Sequence, residues 1–381
     1  MLKEKFKDIF EAEAEYIFSA AGRVNLIGEH VDYCGGQVLP AALSLKCQVA
    51  VRKNGTNLMR IAATTIDARA EIDLTNTGAY CDLEWGMYQA GVADELKKAG
   101  YNLVGCDILY DCTVPFGSGL SSSAAIEVVT AYALAKLGGN KIDKVELAVL
   151  SQKAENNYCG VNCGIMDQFA IAMGKEGHAI FLDTATLEFE YAPIKLENAK
   201  IVISCSNKKR GLGDSKYNER REECETALAE IQNVRDIKSL GELTEEEFEA
   251  VKENVKSDIR IQRAKHAVYE NQRTVKAVEA LQNNDVTLFG ELMNASHVSL
   301  RDDYEVTGIE LDTLVEEAWK VEGVIGSRMT GAGFGGCTVS IVKDEAVDTF
   351  IEQVGKAYEE KIGYAADFYV VEIGDGPQKL A

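Results

Sequence analysis

The stretch Pro115–Ala125, PFGSGLSSSAA, runs without a break into SSSAAIEVVTAYALAKL (Ser121–Leu137), and its reading decides the fold. The second segment carries only two charges, Glu127 and Lys136, and stops at Gly138-Gly139. A helix apolar nearly all round belongs at the centre of a domain, and paired glycines are a natural stop. Ahead of it, Gly117 and Gly119 permit turns closed to other residues and let backbone N–H groups approach an anion. The helix start adds unpaired donors and the positive end of the macrodipole. Gly117, Ser118, Gly119, Leu120, Ser121, Ser122 and Ser123 therefore read as a phosphate cradle. An isolated Gly-x-Gly is more often an ordinary turn, but three consecutive serines behind it argue for phosphate or metal contacts. The Gly-Lys-Ser/Thr ending of a P-loop is absent, and the spacing does not complete a dinucleotide fingerprint.

Working outward, Gly22–Gly36 reads GRVNLIGEHVDYCGG and crowds Arg23, Glu29, His30, Asp32 and Tyr33 between glycines. Glu29 and Asp32, three apart, are either part of a charged surface turn or aimed by a turn into one pocket, where they would accept hydrogen bonds from paired sugar hydroxyls. Downstream, CGIMDQF (Cys163–Phe169) sets Asp167 among apolar neighbours. Such a carboxylate is either a helix cap or paired with a cation such as Arg23, which would hold it ionised as a base for an alcohol. Cys47–Val51, Leu103–Tyr110, His178–Asp183 and Ile201–Cys205 read as strands. From about Tyr217 the pattern turns helical and charged, and Gly241–Lys256 reads as an acidic solvated helix. The expected division is 1–196 and 197–381.

The chain has 381 residues, more than one hydrophobic core usually organises, so two domains are expected. Its formal charge of −21 would repel a phosphate backbone and argues against nucleic acid. A phosphate ligand must then be bound by local structure, since near fields outweigh net charge at contact distance. The ten cysteines lack paired metal-site spacing and read as reduced thiols, which points to a cytoplasmic location. No signal-peptide apolar region opens the chain, and no run approaches the ~18 apolar residues of a membrane span. A monomer with no membrane partner is expected.

GRVNLIGEHVDYCGG, PFGSGLSSSAA and GSRMTGAGFGGCTVSIV (Gly326–Val342) resemble the three signature blocks of the GHMP small-molecule kinases. The first block and CGIMDQF resemble the galactokinase branch, as do SKYNERREEC (Ser215–Cys224) and SHVSLRDDYEVT (Ser296–Thr307). The resemblance implies an α+β fold of the GHMP kinase kind. Its N-terminal domain would be similar to the second domain of ribosomal protein S5, and an α/β C-terminal domain would follow, with the site between them. It implies phosphorylation of the anomeric hydroxyl of galactose by ATP. Asp167 would be the base or electrostatic partner and Arg23 the stabilising cation. Ser123 and Glu155 would be Mg²⁺ ligands, and Glu29, His30, Asp32, Gly164 and Tyr217 the sugar contacts. Gly331–Gly336 would lie beside the phosphate cradle. Galactokinases usually show Thr and Asn where this chain has Val31 and Cys34, which leaves N-acetylgalactosamine, arabinose and galacturonate open as acceptors. Sugar sensors similar to these kinases lack a Ser-Ala of the cradle; Ser123 and Ala124 are present here.

Overall fold

The computed structural model describes residues 2–67, 69–115, 119–208 and 213–381, without side chains at 213–215. Gly117 and Ser118 of the expected cradle lie outside the described residues. The apolar helix forms over Ser122–Leu137 and buries eleven of its side chains. It lies on the strands Tyr16–Asn25 and Pro40–Lys53 and is flanked by the helices Met87–Lys98, Lys144–Lys153 and Met166–Met173. Those two strands belong to a six-stranded sheet. It continues through Cys106–Cys112, Leu58–Ala63 and Arg69–Asp73, with Gln378–Lys379 on the other edge. All its pairings are antiparallel except Leu58–Ala63 with Cys106–Cys112, whose crossover carries the helix Met87–Lys98. The expected strand at Leu103 starts later, at Cys106. Gly105 packs against the Thr56 carbonyl, where a Cβ would stand 2.0 Å away, and that contact belongs to a loop.

A second, four-stranded antiparallel sheet runs in the order Val324–Thr330, Cys337–Lys343, Ala199–Cys205 and Asp367–Val371. Helices Asp258–Gln282, Val286–Asp302, Gly308–Ala318 and Val347–Ile362 accompany it. This α+β architecture agrees with the sequence. Two expectations are corrected. The acidic stretch forms a helix only over Glu245–Val251, started by a capping box between Thr244 and Glu247. Its Phe248 is buried, and Gly241 packs against the Gly35 carbonyl, so the segment braces the 22–36 loop instead of lying wholly in solvent. Cys205 and Cys337, expected as free thiols, are joined in a disulfide. They face each other as register partners on neighbouring strands, with Cα atoms 4.2 Å apart. The other eight cysteines are free.

Candidate active site

The strand Tyr16–Asn25, the starts of the helices Ser122–Leu137 and Met166–Met173, and the glycine turn 331–334 meet around a cleft of about 360 Å³. Arg23 sits on the strand, 3% exposed, and grips Asp167 from both sides: Nε donates to Oδ1 and Nη2 to Oδ2, each at 2.8 Å. This bidentate fork gives direction as well as charge. The same guanidinium donates to the Gly119 carbonyl at 2.5 Å, and the Arg23 N–H bonds the Leu120 carbonyl at 3.2 Å, so one residue ties Asp167 to the 119–120 turn. Ser121 adopts a left-handed backbone, φ 58°, uncommon for a residue with a side chain. Its hydroxyl donates to Asp167 instead of capping the helix. Ser122 and Ser123 line the cleft behind it. Gly331, at φ 87°, lies so close to Gly119 that a Cβ would stand 2.9 Å from its carbonyl oxygen.

Asp32 lines the same cleft. Its Oδ2 fills the space beside Gly164, where a Cβ would lie 1.8 Å away, so glycine is required there by contact and not by φ. Burial, helped by the nearby Asp167 charge, pushes its carboxyl up to about 6 against hydrogen bonds from the Met166 and Tyr33 backbone. Glu29 is buried and raised to about 7, burial outweighing the attraction of Arg328 and Arg23. His30, at φ 61°, has both ring nitrogens engaged: Nδ1 meets the Tyr33 hydroxyl at 2.8 Å and Nε2 the Ala332 carbonyl at 3.2 Å. Burial lowers it to about 3, so the ring is neutral and offers the cleft a wall instead of a free donor. Tyr217 packs its ring 5.6 Å from that of His30 and lines the same cleft.

Glu155 and Ser123, far apart in sequence, come together. The helix Lys144–Lys153 runs into a single wide turn of π geometry, Ala154–Tyr158, which turns Glu155 inward to 8% exposure. Its carboxyl accepts from the Ser123 hydroxyl and, at 2.6 Å, from Gln168 Nε2. Burial and then the Asp167 charge hold it at about 7. Behind it, Glu127 shares the same Gln168 amide at 3.0 Å, and burial holds its carboxyl far above the ordinary range. Among the described residues no three acidic, histidine or cysteine side chains converge as a self-contained metal site. Two hard oxygens open to the cradle do suit Mg²⁺, which keeps few protein ligands and completes its octahedron with phosphates and water.

Val31 is fully buried in the core and Cys34 is buried beside Cys224; neither is among the described residues lining the cleft. The structure also places residues the sequence reading did not single out. Glu270 and Arg328, both buried, contact the 25–29 segment from the C-terminal half. Gln168 and Glu127 support Glu155. For Glu127 a signal existed: an acid in the middle of an otherwise apolar helix.

Comparison with known proteins shows the family. Residues 87–175 match the GHMP kinases N terminal domain, 277–360 the GHMP kinases C terminal domain, and 4–53 the galactokinase galactose-binding signature. The chain is similar to a galactokinase of Clostridium beijerinckii, 55% identical over 383 residues covering 100% of this chain and 98% of that one. A galactokinase of Ligilactobacillus salivarius is 49% identical over 100% of this chain and 99% of its own. Among solved structures, Lactococcus lactis galactokinase complexed with galactose superposes with a TM-score of 0.97 at 45% identity, covering 100% of this chain and 99% of that one. Methanococcus jannaschii mevalonate kinase shares the fold alone, with a TM-score of 0.69 at 18% identity over 94% of this chain and 98% of that one. No helix among the described residues is long and apolar enough to cross a membrane. Matched over its whole length by enzymes that use ATP to phosphorylate a small sugar, the chain belongs to the galactokinase branch of the GHMP kinases.

Proposed function

We propose that the protein transfers the γ-phosphoryl group of ATP to the anomeric hydroxyl of D-galactose, releasing galactose 1-phosphate and ADP. The observation that carries this reading is the Arg23–Asp167 fork, held at 2.8 Å between the cradle on one side and Asp32 on the other. Asp167 orients the sugar hydroxyl and receives its proton, while Arg23 neutralises charge on the transferring group, where electrostatic stabilisation counts most. Asp32 and Glu29 accept from the other sugar hydroxyls, and Gly164, His30 and Tyr217 shape the wall. Ser123 and Glu155 would hold Mg²⁺. When bound, the ion supplies charge neutralisation to the phosphates. Residues Gly119–Ser123 take the phosphates. The division at 196/197 puts the cradle in one domain and the 331–334 turn in the other.

The burial of Val31 and Cys34 supports galactose over the N-acetylated sugar, because the two departures from the family pattern face core, not acceptor. The test is sugar-dependent ADP release across galactose, N-acetylgalactosamine, arabinose and galacturonate, with Mg²⁺ titrated. Galactose should turn over fastest. Preference for the N-acetylated sugar at equal concentration, or ADP release indifferent to sugar, would overturn the reading.

A further inference from the structure

The sugar-facing segment Gly28-Glu29-His30 belongs to the N-terminal half, yet its polar groups are largely held from the C-terminal half. Glu270, fully buried on the helix Asp258–Gln282, accepts from the Gly28 N–H at 3.0 Å and the Glu29 N–H at 3.3 Å. The same carboxylate accepts from the Ser296 hydroxyl at 2.6 Å and pairs with Arg273. Arg328, also fully buried, donates to the Asn25 carbonyl at 3.0 Å and to Ser296 Oγ at 3.1 Å, and its Nη2 lies 3.1 Å from Glu29 Oε2. His266 Nε2 donates to the Glu29 carbonyl at 3.0 Å. Gly28, at φ 93°, lets the segment come this close, since a Cβ there would stand 2.9 Å from Thr274 Oγ1 on the same helix.

From this network we infer that Glu270 and Arg328 are positioning residues for the sugar: they set the height and aim of the Glu29 carboxylate across the junction of the two halves. The inference rests on the galactose reading above. Neither residue is among those lining the cleft, so each acts through Glu29 and the backbone at 28–29. Two N–H donors on one carboxylate oxygen locate the backbone, and the guanidinium draws the Glu29 side chain by charge, its Nη2 3.1 Å from Oε2 without hydrogen-bond alignment. A buried ion pair alone is poor evidence for stability, but a buried carboxylate that takes aligned donors from Gly28, Glu29 and Ser296 restricts geometry. Nothing in it touches Asp167, Ser123 or Glu155, so its effect should fall on the sugar and spare the nucleotide.

The experiment compares Glu270→Gln, Arg328→Lys and Ser296→Ala with the unaltered protein. Initial rates are taken with galactose and ATP varied separately, and galactose binding is measured by calorimetry without nucleotide. Glu270→Gln keeps volume and an acceptor but loses the charge, and should raise the galactose KM and Kd about tenfold or more. The ATP KM should stay within about twofold, because no charge-assisted contact to the cradle is lost. Ser296→Ala removes only the shared hydroxyl, so it keeps the test open if a charge variant fails to fold, and should raise the galactose KM about threefold. A folded variant with unchanged galactose KM and Kd would overturn the inference, as would equal rises in the galactose and ATP KM. If the unaltered protein released no ADP with galactose, the functional reading would fail instead, and the two failures are told apart by that control.

Discussion

Replacing Gly164 by alanine adds a single carbon to a loop that needs no special backbone angle, so any loss of function must come from contact. The added Cβ would stand 1.8 Å from Asp32 Oδ2 and 2.3 Å from its Cγ, whereas side-chain carbons do not approach other heavy atoms below 3.0 Å. The clash is therefore relieved only by a displacement of roughly 1 Å, an offset that at a reacting centre costs on the order of 10²-fold in rate. That is about 2.7 kcal/mol of transition-state binding. The carboxylate will yield before the backbone, giving up its hydrogen bonds from the Met166 and Tyr33 backbone. On the proposed reading Asp32 takes the sugar and not the phosphates, so kcat/KM for galactose should fall about 10²-fold while the ATP KM moves by less than about threefold. Coupled ADP-release kinetics with each substrate varied measure both numbers, and a thermal melt checks the fold. A folded Gly164→Ala protein with kcat/KM for galactose within twofold of the parent would refute the assigned place of Asp32.

Asp167→Asn keeps the shape but ends the ion pair with Arg23, and turnover should drop about 10²- to 10⁴-fold with smaller changes in KM; half the parental turnover would contradict its role. Glu155→Gln should raise the Mg²⁺ concentration for half-maximal rate by about tenfold, since the hard anionic ligand is lost; an unchanged Mg²⁺ titration would remove Glu155 from the cation site. Asp32 at about 6 and Glu29 at about 7 both sit above the ordinary carboxylate range, so both take up protons as pH falls through those values. The carboxylate acceptors are then lost, and kcat/KM for galactose should decline below pH 7, by about tenfold at pH 5 for the lower group alone; a flat profile from pH 5 to 8 would count against both. Glu127→Leu leaves Gln168 short of one acceptor and should cost about 1–3 kcal/mol in urea unfolding, with Glu127→Gln milder; equal stability for all three would show the pair to be idle.

What the sequence made legible was contiguous. The cradle, the buried helix behind it and the glycine-bracketed carboxylates each declare themselves within a dozen residues. The meeting of Arg23 with Asp167 could be guessed because a buried acid needs a cation. Contacts made by folding alone were not legible. Cys205 and Cys337 are separated by 132 positions and become neighbours only through strand register. Glu270 stands among many charged residues on a long helix, and nothing in its local pattern separates it from the solvated acids. Val31 and Cys34 misled in the opposite direction. Their places beside Asp32 and Tyr33 suggested contact with the acceptor, but they stand three apart on the tight turn around Asp32–Cys34, a spacing that puts both on one side of it, and both go into the cores.

A protein of charge −21 that must hold a polyphosphate has to arrange its fields locally. Here the arrangement is one of burial as much as of sign. Glu29, Asp32 and Glu155 all approach the cleft, and three full negative charges beside Asp167 would repel a nucleotide. Desolvation raises all three to between about 6 and 7, which lessens the negative charge the cleft carries as pH falls below neutrality. Arg23, paired to Asp167 and bonded to Gly119, is on the proposed reading the cation that meets the transferred group. On the proposed reading, a hydroxyl donor or a cation reaching one of these carboxyls favours its charged form, because an added hydrogen bond or opposite charge offsets part of the burial that raised it.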